Sequence, residues 1–360
     1  MGYKAFGVEK TNLKEFSLGA LENEMAALGH GGFRGRQLFR WIYKERATDF
    51  SAMTDLSKKF RAALNEKFTL PSLRVVETRE GDDGTAKHLF ELHDGYRVEG
   101  VFIPMEGRNT FCVSTQVGCK MACRFCATGY MKFGRNLKAW EIVEQLLSVS
   151  TPAPVTNLVL MGMGEPFDNY DEVVKALRIF QDPLGPQIGK RHITVSTVGI
   201  TPKLQEFVDA NLGKLAISLH GTTDAQRASI MPINRKHPLK ELMDTCRKLK
   251  FKGQGRVTFE YVLLDGVNDS QDDAYRLVNL VRGLPCKINL LAYNENPFIA
   301  YKRPEESRIL AFQRILLESD LTATYRRSRG RDIAGACGQL HAENTRRHAA
   351  KLASGESLQS

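Results

Sequence analysis

The chain has 360 residues, of which 42% are hydrophobic and 26% are charged, values ordinary for a globular protein with a sizeable core. No apolar run approaches the length of a membrane span, and residues 1–10 lack the apolar core of a signal peptide. We therefore expect a cytoplasmic protein with no membrane partner. The net charge of +10 favours a polyanionic partner such as nucleic acid, although many basic proteins bind nothing acidic.

The first part of the chain has the residue pattern of helices. From residue 10 to about 65, apolar side chains such as Leu38, Trp41 and Ile42 recur at helical spacing. Many arginines and lysines accompany them, which suits either a small module that contacts RNA or a solvated basic face. From Leu73 the period becomes that of strands, and the turn Gly-Asp-Asp-Gly at 81–84 predicts antiparallel pairing.

Residues 110–295 alternate between strand and helix patterns. This alternation predicts a parallel sheet with right-handed crossovers. Six such units fall short of the eight of a closed barrel, so we expect an α/β fold with a partial (β/α)6 TIM-like barrel. The predicted strands are 110–116, 157–165, 192–199, 214–220, 257–264 and 287–294. The predicted domains are a helical accessory domain at 1–70, a β extension at 71–104, the core at 105–332, and a C-terminal catalytic loop with a basic tail at 333–360.

Polar residues stand at the carboxyl ends of four predicted strands. Because chemistry gathers at those ends in barrel-like folds, we expect these residues to meet at one rim. A single one of them, such as His220, would more often be a structural histidine. The residues are Gly164, Glu165, Ser196, Thr197, Ser218, Leu219, His220 and Asn294.

The most specific pattern is a C-x₃-C-x₂-C run formed by Cys119, Cys123 and Cys126. Structural zinc sites usually take four ligands in two separated pairs, whereas iron–sulfur clusters take closely spaced thiolates. A zinc knuckle that borrows a distant ligand is the structural alternative. The spacing, with Phe125 before the last cysteine, is typical of radical S-adenosylmethionine (SAM) enzymes, in which three thiolates leave one iron open for SAM.

The C-terminal part combines a basic cluster with a lone cysteine. Arg326, Arg327, Arg329 and Arg331 are candidates for phosphate binding, and Cys337 follows between Gly335 and Gly338, which favours an accessible loop. Beyond His341 we expect a disordered tail or a loose helix. We interpret Cys246 and Cys286 as packing residues. Cys112 lies on a predicted strand, and its position alone would indicate a small residue of the hydrophobic core.

Several motifs together resemble one family, the radical SAM adenine methyltransferases of the RlmN/Cfr group. They are CVSTQVGCKMACRFCATG, GRNL, MGMGEP, AISLH, PINRKHPL, VTFEYVLLDGVND and RGRDIAGACGQL, and the helical start RQLFRWIYKERATDFSAMTDLSK is similar to the accessory domain of that family. The resemblance extends from about residue 10 to 345. Within the family, the carbon-2 branch is the better match, and carbon-8 methylation of the same adenosine is the alternative.

The resemblance implies a role for each matching residue. Cys119, Cys123 and Cys126 would hold a 4Fe–4S cluster. Cys337 would carry a methyl group, Cys112 would resolve the adduct, and Glu99 would be the proton acceptor, unless Cys112 takes the proton. The implied SAM contacts are Gly164, Glu165, Ser196, Ser218, Leu219, His220 and Asn294, with Asn296 as a possible alternative to Asn294 because the sequence NENPF carries an insertion.

The resemblance also implies the reaction and its partners. Carbon 2 of adenine has no acidic hydrogen, so a radical route that uses two SAM molecules and an S-methylcysteine replaces polar methyl transfer. The implied substrates are 23S rRNA and tRNA. We also expect an unidentified, flavodoxin-like one-electron reductant and a monomeric protein. Two other classes stay open at this point: another radical SAM enzyme, such as a glycyl-radical activator, and a non-enzymatic RNA-binding protein with structural zinc.

Overall fold

The computed structural model describes residues 10–253, 255–297 and 299–342, so the predicted tail at 343–360 lies outside the described residues. The helices are α1 Leu18–Ala27, α2 Phe33–Tyr43, α3 Lys58–Lys67, α4 Ala139–Leu147, α5 Tyr170–Gln181, α6 Thr201–Ala210, α7 Asp224–Ile230, α8 Leu239–Lys248, α9 Gln271–Val281 and α10 Glu306–Glu318. The strands are β1 Thr11–Asn12, β2 Phe68–Thr69, β3 Arg74–Glu80, β4 Ala86–Glu91, β5 Arg97–Met105, β6 Arg108–Cys112, β7 Asn157–Leu160, β8 Ile193–Thr197, β9 Lys214–Ser218, β10 Val257–Leu263, β11 Cys286–Ala292 and β12 Ala323–Arg326.

One sheet runs through most of the molecule, in the order β12-β11-β10-β9-β8-β7-β6-β5-β4-β3. The strands from β6 to β12 pair in parallel, and those from β3 to β6 pair antiparallel. Cys112 on β6 and Leu291 on β11 line one cavity although their strands are far apart in this order, so the sheet curls around that cavity. The predicted α/β fold with an open, barrel-like parallel sheet is confirmed.

The parallel part of the sheet has one strand more than the sequence pattern predicts. After α10 the chain adds β12, which pairs only with β11 at the edge of the sheet. This strand is four residues long and most of its side chains are exposed or half-buried, so its sequence, ATYR, carries little of the apolar signal of a buried strand. In contrast, every residue of β10 is buried, as expected for a central parallel strand.

The N-terminal helices pack against the core through a buried ion pair. Lys14 Nζ contacts the carboxylate of Glu144 on α4, with 1% and 5% of the two side chains exposed. The hydroxyl of Tyr43 on α2 donates to the carbonyl of Lys14 at 3.0 Å, which fixes the backbone beside this lysine. Burial raises the pKa of Glu144, although Lys14 opposes the shift. Lys14 therefore joins the accessory region to the core, and Arg46 makes a second contact by donating to the carbonyl of Val149 at 3.3 Å.

Two of the basic side chains on α2 are paired within the accessory region. Arg36 contacts Glu22 at 2.5 Å, and Arg40 lies 3.4 Å from Asp55. These exposed pairs contribute little stability, but they neutralise part of the positive charge that the sequence suggests for RNA binding. Over the described part of the chain, no helix is long and apolar enough to cross a bilayer.

We predict that Lys14→Met lowers the free energy of unfolding by about 3–5 kcal/mol, because it leaves a buried carboxylate without its counter-charge. Urea denaturation followed by circular dichroism measures this change. The double variant Lys14→Met/Glu144→Leu removes both charges and should recover most of the loss. A single variant as stable as the unmodified protein would contradict the importance of this pair.

Candidate active site

The loop that follows β6 brings three thiols to one cavity. Cys119, Cys123 and Cys126 line it together, and we call it the cysteine cavity. The loop is held by its own backbone: Cys126 N–H donates to the carbonyl of Cys123 at 3.1 Å, and Arg124 N–H donates to that of Ile230 at 2.9 Å. The three cysteines predicted as metal ligands are therefore neighbours in space as well as in sequence.

The environment of these thiols opposes ionisation of the free side chains. Burial raises the pKa of Cys119 to about 12 and raises the pKa values of Cys123 and Cys126 as well, with the neighbouring thiols adding to the shift at Cys123. A bound metal centre reverses this balance because its positive charge stabilises thiolates. Among the described residues, no group of three or more His, Cys, Asp or Glu side chains is arranged to share a single metal ion.

The opposite wall of the cysteine cavity is built from the carboxyl ends of the parallel strands. The predicted rim residues that line it are Gly164, Glu165, Ser196, Thr197, Ser218, His220 and Asn294. Leu219 does not line it, because its side chain is fully buried in the core. The predicted meeting of these strand ends at one rim is therefore seen for all of the predicted residues except Leu219.

Glu165 is buried, and backbone groups hold both of its carboxylate oxygens. Oε1 accepts from the N–H of Phe167 and Oε2 from that of Val198, each at 2.9 Å. Burial raises the pKa of Glu165 to about 7, although these hydrogen bonds oppose the shift. The preceding Gly164 has a φ of +102°, and a Cβ there would lie 2.6 Å from the Cβ of Gln116. Any larger residue at position 164 would therefore displace the carboxylate that follows it.

His220 is a neutral ring in this wall. Its Nδ1 accepts from the N–H of Val262 at 3.0 Å, so the hydrogen of the neutral ring is on Nε2. Burial and the charge of Arg227 lower the pKa of His220 to about 3. Its ring meets that of Phe125, from the cysteine loop, edge to face at a centroid distance of 4.8 Å. The histidine thereby connects the strand wall with the cysteine loop.

Arg227 is a structural element of the site that the sequence analysis did not identify. Its side chain is fully buried on α7, and it donates to the carbonyls of Leu219 at 3.0 Å and Val198 at 2.6 Å. It also donates to the side chain of Asn234 at 2.9 Å. The guanidinium thus ties together the ends of β8 and β9. No sequence signal marks it, because a buried arginine on a short helix looks like a surface arginine in the sequence.

The loop at 333–342 closes the cysteine cavity from the other end of the chain. Gly338 accepts from the N–H of Ala127 at 2.8 Å, and Leu340 accepts from the hydroxyl of Thr128 at 2.7 Å, so the loop is joined to the segment directly after Cys126. Gly338 has a φ of +82°, a conformation that favours glycine and allows this close approach.

Cys337 lines two cavities at once. One is the cysteine cavity, and the other, which we call the Cys112 cavity, has a volume of about 420 Å³ and is also lined by Cys112. Burial raises the pKa of Cys112 to about 12, and the charge of Cys337 adds to that shift, as expected for two thiols in proximity. The structure therefore brings together the two lone cysteines that the sequence singled out.

Glu99 lies in a third cavity, apart from these cysteines. Its Oε1 is 3.0 Å from Lys87 Nζ, and its Oε2 accepts from the N–H of His341 at 2.8 Å. Both oxygens are thus committed to an ion pair and to the C-terminal loop. Asn296 also lines this third cavity and does not line the cysteine cavity.

Asn294 has an incomplete set of hydrogen bonds. Its Nδ2 donates to the carbonyl of Cys337 at 3.1 Å, while its buried Oδ1 has no partner among the described residues. A buried acceptor without a donor is costly, so this atom fits a ligand that brings a hydroxyl or an N–H group. Three adjacent thiols on one wall and this acceptor on the other fit a cluster with an open iron and a bound SAM.

The predicted arginine cluster divides into different roles. Arg326, Arg327 and Arg329 all line the Cys112 cavity, and Arg327 also contacts Glu306 at 3.1 Å. Arg329 donates to the carbonyls of Pro104 at 2.6 Å and Asp83 at 3.3 Å, so it anchors the start of the C-terminal loop to the antiparallel strands. Arg331 is exposed. Three of the four arginines therefore line the Cys112 cavity, while Arg329 also anchors the loop and Arg327 is paired with Glu306.

In the arrangement that the family resemblance implies, with SAM against Gly164, we predict that Gly164→Ala weakens SAM binding by about tenfold or more, since the new methyl group meets Gln116 and a backbone strain of about 1–3 kcal/mol is added. Equilibrium dialysis with the cluster-containing protein measures the affinity. The control is Gly283→Ala, which also has a positive φ but open space around its Cα, and it should leave the affinity unchanged. Equal affinities of the two variants would contradict the prediction.

Family comparisons cover both parts of the chain. Residues 113–278 match the Radical SAM superfamily, and residues 11–70 match the ribosomal RNA large subunit methyltransferase N-terminal domain. The first match begins directly after Cys112 and contains the three clustered cysteines. The second coincides with the helical region that packs against the core through Lys14.

Individual relatives are similar over almost the whole chain. A protein of Caldanaerobacter subterraneus, described as a probable dual-specificity RNA methyltransferase RlmN, is 46% identical over 91% of this chain and 97% of its own length. The dual-specificity RNA methyltransferase RlmN of an Anaeromyxobacter species is 46% identical over 93% of this chain and 91% of its own length. The crystal structure of a radical SAM methyltransferase from Sphaerobacter thermophilus has a TM-score of 0.87 at 43% identity and covers 92% of this chain and 100% of that one.

Proposed function

This chain belongs to the RlmN family of radical SAM RNA methyltransferases, and on that premise we propose that it methylates carbon 2 of an adenine in RNA. The proposed targets are adenosine 2503 of 23S rRNA and adenosine 37 of tRNAs. The observation that carries the proposal is the position of Cys337, which lines both the cysteine cavity and the Cys112 cavity. A thiol in that position can receive a group on one side and deliver it on the other.

Membership in the Radical SAM superfamily implies a 4Fe–4S cluster and SAM. In this proposal Cys119, Cys123 and Cys126 hold the cluster, because they are the thiols that line one wall of a shared cavity. When bound, the cluster would supply the single electron that cleaves SAM and so generates the radical that removes a hydrogen atom. The electron originates from a flavodoxin-like reductant, and the protein acts as a monomer.

The strand wall would hold SAM in place. Glu165 offers a carboxylate fixed by two backbone N–H groups, which suits the amino group of a methionine moiety. Asn294 offers its unpaired Oδ1. The remaining proposed contacts are Gly164, Ser196, Ser218, Leu219 and His220. Leu219 would act through its backbone, because its side chain is fully buried.

Cys337 is the proposed methyl carrier. Its sulfur forms a bond to the methyl carbon of one SAM molecule while the bond from that carbon to the sulfonium breaks, and the thiol proton is lost to water. After a hydrogen atom is removed from this methyl group, the sulfur-bound carbon bonds to carbon 2 of the adenine in the Cys112 cavity. Protein and RNA would then be joined through Cys337 as a radical adduct, which becomes a closed-shell thioether when it returns one electron to the redox centre that supplied it and loses the proton of carbon 2 to a base.

Release of the RNA needs a base and a second thiol. Cys112 shares a cavity with Cys337 and is the proposed resolving thiol: it bonds to the sulfur of Cys337 as the carbon–sulfur bond breaks, and the released carbon takes up a proton to become the methyl group. The resulting disulfide must be reduced by an external thiol or reductant before the next turnover. Glu99 is the proposed proton acceptor, with Cys112 as the alternative. In the described arrangement Glu99 is engaged by Lys87 and by His341 N–H, so this role requires the C-terminal loop to release it.

The substrate adenine must leave its stack to reach these thiols, as is usual for enzymes that modify a base. The Cys112 cavity, at about 420 Å³, falls in the size range of small-molecule pockets. Arg326 lines it, and its charge suits a phosphate beside the extruded nucleotide. Single-stranded or loop RNA therefore fits this site better than a continuous duplex.

Product mapping tests the proposed function. Protein reconstituted anaerobically with iron and sulfide is incubated with SAM, a reductant, and either a 23S rRNA fragment or tRNA, and the nucleosides are separated by chromatography. We expect 2-methyladenosine from both RNAs. A carbon-8 product would replace the proposed regiochemistry by that of the other branch of the family, and the absence of any methylated adenosine would overturn the proposal.

The two lone cysteines should give different phenotypes. We predict that Cys337→Ala lowers RNA methylation by about 10³-fold or more, while SAM cleavage by the reduced protein persists. We predict that Cys112→Ala accumulates protein covalently joined to RNA, because the adduct forms but is not resolved. Denaturing gel electrophoresis with labelled RNA detects the adduct.

The matched control for these variants is Cys286→Ala. Cys286 is half-buried and is the first residue of β11, at the amino end of the strand, whereas the site lies at the carboxyl ends of the parallel strands. It should methylate RNA at the unmodified rate. An active Cys337→Ala protein would exclude the methyl-carrier role. Normal turnover of Cys112→Ala without an adduct would remove its resolving role.

A further inference from the structure

Glu260 is a buried carboxyl group with no role in the reaction steps proposed for Cys337 and Cys112. It lies in the middle of β10, a strand that is buried along its whole length, and 6% of the residue is exposed. Like Cys337, it lines both the cysteine cavity and the Cys112 cavity. The side chain therefore stands at the junction of the two cavities.

The surroundings of Glu260 leave its charge without a direct counter-ion. Its Oε2 accepts from Asn289 Nδ2 at 2.5 Å, and no other hydrogen bond or ion pair to the carboxyl is present among the described residues. Arg326 and Lys287 act on it only as more distant charges, while burial raises its pKa. A buried carboxyl group with a single amide donor destabilises the folded protein, so its presence favours a functional role.

The position of Cys337 indicates where the positively charged sulfonium of the methyl donor must lie. The donor occupies the cysteine cavity, and the acceptor sulfur lies where that cavity meets the Cys112 cavity. Direct displacement brings the sulfur of Cys337 to the methyl carbon, which is bonded to the sulfonium. The sulfonium therefore approaches the junction, where Glu260 is the carboxyl that lines both cavities.

We propose that Glu260 is the counter-charge for the sulfonium of SAM at this junction and that it makes the site select SAM over S-adenosylhomocysteine. This proposal rests on the proposed function, in which Cys337 takes its methyl group from SAM. A desolvated carboxylate attracts a cation strongly, and an approaching cation in turn stabilises the ionised carboxyl. The neutral thioether of S-adenosylhomocysteine offers no such attraction.

The charge selection has a consequence for the order of events. Methyl transfer converts the charged sulfonium into a neutral thioether. The product therefore loses its electrostatic attraction to Glu260 in the same step that methylates Cys337. The spent molecule is then held less tightly than a fresh SAM molecule. Because the proposed reaction consumes two SAM molecules in succession, this difference favours the required exchange of the product for a second SAM molecule.

Ligand binding tests the proposal without turnover. The parent is cluster-containing, unreduced Cys337→Ala protein, which cannot be methylated at position 337. Dissociation constants for SAM and S-adenosylhomocysteine are measured by calorimetry in this parent, with Glu260→Gln added, and with Glu318→Gln added. Glu318 is an exposed residue at the end of α10, so its variant is the matched control for loss of one carboxylate.

We expect the parent and the Glu318→Gln protein to prefer SAM by about tenfold or more, and the Glu260→Gln protein to lose that preference through weaker SAM binding alone. Unchanged binding of S-adenosylhomocysteine shows that the Glu260→Gln site is intact. A preference for SAM that survives Glu260→Gln would overturn the proposal. Equal weakening of the binding of SAM and of S-adenosylhomocysteine would also overturn it, because that result indicates a purely structural role for Glu260.

A second measurement needs no change at Glu260. Sinefungin carries an ammonium group near the position of the sulfonium, so the parent should also prefer it to S-adenosylhomocysteine. If the parent binds all three ligands equally, the charge-selection proposal is wrong while the proposed function stands. If the parent binds none of them, the proposed function itself fails, and the inference fails with it.

Discussion

The site depends on hydrogen bonds that hold the C-terminal loop against the cysteine loop. The carbonyl of Gly338 accepts from Ala127, that of Leu340 accepts from Thr128, and that of Cys337 accepts from Asn294. These bonds use the backbone of the late loop, so its side chains remain available for chemistry. They position Cys337 beside the three clustered thiols, and the two cavities share a wall there.

A second set of buried polar contacts shapes the strand ends beneath this loop. Arg227 donates to carbonyls at the ends of β8 and β9, and Asn268 donates to the carbonyls of His220 at 2.8 Å and Val262 at 2.7 Å. Strand ends lose their ladder partners where strands diverge, so these side chains satisfy groups that would otherwise be buried unpaired. The same contacts keep the rim in one arrangement. The wall that would receive SAM is thus preorganised by the fold.

The charges of the molecule serve two different purposes. Some basic side chains are consumed internally: Lys14 pairs with Glu144 between the accessory region and the core, and Arg329 anchors the C-terminal loop to backbone carbonyls. Others, such as Arg326 on the wall of the Cys112 cavity, face the space where an RNA base would enter. A net charge of +10 therefore overstates the positive surface available to a polyanion. Geometry decides which charges reach the ligand.

The amino-acid sequence by itself determined the order of strands and helices, the three clustered cysteines, and the polar residues at the strand ends. These follow from local periodicity and from spacing within one short loop, which depend on neighbours in the chain. The short edge strand β12 and the buried role of Arg227 were not predictable in this way, because neither differs in composition from a surface segment.

Only the tertiary structure decided that Cys337 meets Cys112 and the clustered thiols, that Glu99 is turned into a separate cavity, and that Glu260 stands between the other two. Those relations join residues far apart in the chain. They depend on the curvature of the sheet and on the packing of the C-terminal loop against it. Neither can be predicted from the local sequence pattern.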